Sequence, residues 1–204
     1  MQMEFTLLQQ QLWTSLVGLV SLYLLPMSPQ LLLQKSELHL HNHPHFIPEV
    51  KMFSIFSKGA QWMFDRLQEL NPEPALEWNS SLNYEYYGYL KYGICTACFI
   101  GSACFFFHHS FWLVPLSILI FYGLEVHFLF LFPLLIDGVN HPVHRSFMLT
   151  YKIGILKAMY TVMVVAAYML WGLNDVKQPF RKWHIGCMAI LLWYSEERKK
   201  LSVR

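Results

Sequence analysis

An all-α membrane helix bundle is the fold class this sequence predicts, and three observations predict it. Of its 204 residues, 55% are hydrophobic and only 14% charged, whereas a soluble domain carries roughly 45–50% apolar and about 25% charged residues. Four apolar stretches reach the about 20 residues that a helix needs to cross a hydrocarbon core. The basic residues collect in loops on one side of a single consistent threading. Helices follow because a bilayer interior offers no water to unsatisfied backbone groups, and an α-helix satisfies them within itself. The length suits one integral membrane domain over residues 1–204.

The expected spans are residues 12–33, 86–107, 111–136, 150–173 and a short fifth at 183–194. Pro26 and Pro29 are expected to bend the far end of the first. Its start is not read as a cleaved signal, because no basic residue precedes Leu12 and no small-residue cleavage site follows the apolar run. Segment 183–194 covers only about 18 Å of helix, so a short span, a re-entrant piece and an interfacial helix are its three readings. With five spans and an outward N-terminus, the fifteen Lys and Arg divide into twelve inner and three outer, the outer ones being Lys177, Arg181 and Lys182. In this threading Lys91 and Lys157 lie inside spans near their inner ends, where long side chains can snorkel to the headgroups. The C-terminus is then inside.

Aromatic residues mark the expected boundaries: Trp13, Trp112, Trp171 and Trp183 outside, and Tyr86, Tyr87, Tyr89, Tyr92 and Trp193 inside. The Asn79-Ser80-Ser81 sequon would report on this orientation if it were glycosylated.

Between the first two spans, residues 49–70 predict an amphipathic helix. Val50, Phe53, Phe56, Ala60, Met63, Leu67 and Leu70 recur at steps of three and four, and Asn71-Pro72 stops the pattern. Such a helix either lies in the inner membrane surface or covers the bundle. Small residues predict where spans meet. Gly93, Ala97 and Gly101 form one row, and Gly154, Ala158 and Ala166 a second, through which other membrane subunits or a second copy can also pack.

Three groups are candidates for chemistry. Glu125 stands near the middle of the third span, where an ionised carboxylate costs several kcal/mol unless it is paired or faces a polar cavity. It is the candidate catalytic or relay residue, the bland reading being a structural hydrogen bond. His127, two residues on, points to a nearly opposite face of a helix. Asp137, His141 and His144 follow the same span and supply the donor types of a divalent metal, zinc or iron. Their D-x-x-x-H-x-x-H spacing would share one helical face, but Pro142 pushes His141 out of the helix. His39, His41, His43 and His45 alternate in HLHNHPH, and in an extended chain all four would face one side. In the expected topology both metal candidates lie on the inner face, where the two loops can reach one ion.

Other chemistry is absent. There is no G-x-S-x-G elbow, P-loop, H-E-x-x-H or dinucleotide fingerprint. The His108-His109 pair does not complete the histidine pattern of membrane di-iron desaturases and is read as a headgroup contact. Cys95-Thr96-Ala97-Cys98 matches C-x-x-C, but inside an apolar stretch it is read as packing. A net charge of +2 without a basic run interleaved with aromatics excludes a nucleic-acid surface. Three functions stay open: an accessory, assembly or scaffold component of a membrane complex; a metal-dependent enzyme acting on an apolar substrate at the inner face; and a small transporter or proton-coupled channel using Glu125.

Overall fold

In the computed structural model, residues 28–42, 54–71, 77–174 and 180–202 are described. They are all-α, with no strand among them. In chain order the helices are α1 (Pro29–Asn42), α2 (Ile55–Leu70), α3 (Tyr84–His109), α4 (Leu116–Glu125), α5 (Leu131–Ile136), α6 (Pro142–Ile153), α7 (Ile155–Gly172) and α8 (Arg181–Ser202).

Among the described residues, three helices are long and apolar enough to cross a membrane: Tyr84–His109, Phe111–Ile136 and Ile155–Gly172. They match the second, third and fourth expected spans. The first expected span lies outside the described residues except for its last few, which form the start of α1. The fourth begins later than expected because Gly154, at φ 102°, separates α6 from α7. Few L-residues adopt that backbone conformation, so glycine is what allows the chain to turn there.

α3 and α4 form an antiparallel hairpin around the turn at Ser110. Asn83 caps α3 by accepting the Tyr86 N–H at 2.9 Å. The span Phe111–Ile136 is segmented rather than straight. Residues 126–128 tighten into a 3-10 turn, and Pro133 has no N–H to donate to the turn before it. Two side chains from α6 take carbonyls that the distortion exposes: Ser146 Oγ donates to the His127 carbonyl at 2.7 Å, and Thr150 Oγ1 to the Val126 carbonyl at 3.0 Å. Both side chains are buried, so these bonds satisfy groups that lipid could not.

Segment 183–194, read as a short span, a re-entrant piece or an interfacial helix, lies within the 22-residue α8, which packs against α1, α2 and α7. Ile185, Met188, Ala189, Leu191, Trp193 and Tyr194 are all buried in it. Its ends carry Arg181, Lys182, Glu196, Glu197 and Arg198, and it does not join the three candidate spans. Trp193, expected at a membrane boundary, is core and meets the Phe130 ring edge-on. The reason is local periodicity: α8 is apolar over its middle on more than one face, so protein rather than lipid headgroup covers that tryptophan.

α2 is the predicted amphipathic helix, and it covers the bundle. Ala60, Trp62 and Leu67 are buried, and the helix packs on α3, α5 and α8. Its first turn is capped from another element, the Ser57 N–H donating to Glu85 Oε1 at 2.9 Å. Its far end is fastened by Asn71 Nδ2 donating to Ser195 Oγ at 3.0 Å. Phe56 lies over Gly88 of α3, among Tyr89, Tyr92 and Phe132. A Cβ at position 88 would fall well inside van der Waals contact with that ring, so glycine sets the distance between α2 and α3.

The small-residue rows divide. A Cβ at Gly93 or Gly101 would meet nothing within 4 Å, and Ala97 is exposed, so the first row packs against no described element. In the second row Ala158 is fully buried and Ala166 half-buried. The close approach of α7 and α8 is made instead by Gly186, which lies against Met169 and Val165.

Candidate functional site

Two buried polar groups and one surface groove hold the residues that the sequence singles out. The first group is inside the α3–α4 hairpin. Lys91 Nζ stands 3.3 Å from Glu125 Oε1, and the side chains are 9% and 16% exposed. The ammonium also lies 5.0 Å from the centre of the Tyr92 ring. Lys91, expected to reach toward headgroups, is instead paired with the carboxylate of Glu125 on the facing arm. The pairing follows from the antiparallel hairpin. Counted from Ser110, Lys91 is 19 residues before the turn and Glu125 is 15 after it. At 1.5 Å per residue their depths differ by about 6 Å, which one lysine side chain can bridge. That count is the signal in the sequence that identifies the pair. His127, as its spacing predicts, faces away, with its ring 4.9 Å from Phe147 of α6 and its Nδ1 2.8 Å from the Gly123 carbonyl.

The second group is at the end of α5. The Asp137 side chain is 6% exposed, with Arg198 Nε of α8 3.1 Å from its Oδ2. Tyr194 donates its hydroxyl to the same oxygen. Burial raises the Asp137 pKa above its ordinary value, while the Tyr194 hydrogen bond and the Arg198 charge pull in the opposite direction. Asp137 Oδ1 is buried with no hydrogen-bond partner among the described residues. Nothing in the spacing of Asp137 points to residues 57 and 61 positions later; only the packing of α8 brings them together.

His141 and His144 do not join Asp137. His141 is in the left-handed region at φ 54°, which turns the chain so that Pro142 begins α6. Both histidines then line an open groove with Tyr87, Phe147, Met148 and Tyr151. Pro142 thus leaves His141 outside the helix, as its position predicts, and the set of Asp137, His141 and His144 offered as metal ligands is not gathered here.

The histidine run is also divided. α1 continues through Asn42, so His39 and His41 are on a helix, about 200° apart, and not on an extended strand. Leu32, Ser36 and Leu40 recur every four residues on the buried face, and that period overrides the alternate histidines. His39 Nε2 lies 3.5 Å from Glu69 Oε2, which also takes the buried Arg66 at 2.7 Å. His41 is exposed. His43 and His45 lie outside the described residues. Among the described residues no three His, Cys, Asp or Glu side chains gather as a metal ion would require.

The C-x-x-C residues differ in environment, Cys95 being buried and Cys98 exposed, both as free thiols. Compared with protein-family models, with curated proteins and with solved structures, the chain matches none.

Proposed function

We propose that this chain is a multi-pass membrane protein that serves as an accessory, assembly or scaffold component of a membrane complex. The observation that carries the reading is the pairing of two withdrawn carboxylates with cations from other helices. Lys91 lies against Glu125 inside the hairpin, and Arg198 against Asp137 at the end of α5. Charges placed this way tie particular helices to one another. The other support is outward-facing. From Ile94 to Ile120 the hairpin presents Ile100, Phe105, Phe107, Trp112 and Leu119 as exposed apolar side chains. Along the same stretch runs the unfilled row of Gly93, Ala97 and Gly101, a surface on which another helix can pack closely.

A tagged copy solubilised from its own host's membranes in a mild detergent tests this by native mass spectrometry. A complex of defined stoichiometry, disrupted by Ala97→Phe while the chain stays folded, is the expected result. A lone monomer over a range of mild detergents would overturn it.

A further inference from the structure

We propose that the groove along α6 is a binding site for an anionic phospholipid, with the headgroup phosphate at His141 and His144 and an acyl chain along Phe147 and Met148. This rests on the membrane reading of the three apolar helices.

The direction of α6 makes the groove suitable. The chain leaves α5 at Asp137, and by Thr150 it is hydrogen-bonded to Val126, eleven residues back along the same span. Ser146 is likewise bonded to His127, so α6 lies against the distorted turn at 126–128, and the groove that follows α6 runs along the flank of a candidate span. Its lining changes along α6. At the start of the helix are the two histidines, and further along come Phe147, Met148 and Tyr151, with Tyr87 from the first turn of α3 completing the wall. Polar donors at one end and an apolar track at the other match a headgroup and its chain.

The charge is complementary to an anion. Arg145 and Lys152 are exposed beside the groove-lining stripe His141, His144, Met148 and Tyr151. Between Gly138 and Asn174 the chain carries Arg145, Lys152 and Lys157 and no acidic residue. The nearest carboxylate in sequence, Asp137, is turned inward and held by Arg198 and Tyr194. A zwitterionic lipid would gain nothing from this surface beyond its phosphate, whereas an anionic one also meets the exposed Arg145 and Lys152.

The test is native mass spectrometry of the purified full chain with equimolar dioleoylphosphatidylglycerol and dioleoylphosphatidylcholine. The wild type is expected to retain the anionic lipid at least about fivefold better, the effect of roughly one basic contact at a membrane surface. His144→Gln/Arg145→Gln is expected to abolish that preference, and His144→Gln alone to reduce it, should the double variant fail to purify. Met148→Trp fills the track and is expected to lower retention of both lipids. Lys58→Gln removes one positive charge from α2 and is expected to leave the ratio unchanged. Equal retention by the wild type, an unchanged ratio in the α6 variants, unchanged retention in Met148→Trp, or an equal loss in Lys58→Gln would each overturn the site. Failure of the membrane reading is separate: alkaline carbonate would then strip the chain from membranes.

Discussion

Lys91 and Glu125 form an ion pair between the two arms of the α3–α4 hairpin, 3.3 Å apart and largely withdrawn from solvent. Their energetic role differs from that of a surface pair. Exposed salt bridges contribute little, but removing one member of a buried pair leaves the other charged and desolvated.

Glu125→Gln or Lys91→Met is therefore expected to destabilise the protein by about 3 kcal/mol. The double variant Lys91→Met/Glu125→Gln is expected to recover most of that loss, because no uncompensated charge remains. Denaturant unfolding in one detergent, arranged as a double-mutant cycle, checks it. Additive losses would show that the two residues do not act as a pair.

Gly88→Ala is expected to cost about 1–3 kcal/mol by forcing the Phe56 ring from its place among Tyr89, Tyr92 and Phe132. In a Phe56→Leu background the same change is expected to cost less, since the smaller side chain can yield. Thermal unfolding of the four proteins measures the difference. An equal cost in both backgrounds would place the strain elsewhere.

Ser146→Ala and Thr150→Val each remove one hydrogen bond that α6 makes to the distorted turn at 126–128. Each is expected to cost about 1–3 kcal/mol, the penalty for leaving a buried carbonyl without its donor. Hydrogen exchange of amides in 126–131 should accelerate in both variants. Unchanged exchange there would mean that the turn is held without α6.

Asp137 makes stability depend on pH with a definite sign. Its folded pKa is raised above its ordinary value of 3.8 because burial outweighs Tyr194 and Arg198. The folded state then binds this proton more tightly than the unfolded chain does. Its contribution is complete below the unfolded value and is lost as pH rises through the folded one. The stability of the wild type relative to Asp137→Asn is thus expected to fall as pH is raised from below about 4 toward neutrality. Melting temperatures of both proteins across that range test it. A difference that rises with pH would show that the Arg198 pairing dominates.

Sequence periodicity and hydropathy determined what depends on neighbours a few residues apart. The three apolar helices, the amphipathic helix at Ile55–Leu70, the opposite directions of Glu125 and His127, and the non-helical backbone at His141 before Pro142 are all readable from local spacing. The hairpin count from Ser110 would also have paired Lys91 with Glu125, because an antiparallel turn fixes depth on both arms. The histidine run misled because alternation carries meaning only in extended chain, and the leucine period of α1 decided for helix. Only the tertiary structure decided the place of α8, whose apolar middle reads as a short span but is covered by α1, α2 and α7. It alone brought Tyr194 and Arg198 to Asp137 and set α6 against the distorted turn of the preceding span. Hydropathy reports how much of a helix avoids water; whether lipid or protein then covers it depends on contacts between residues far apart in the chain, which no local pattern encodes.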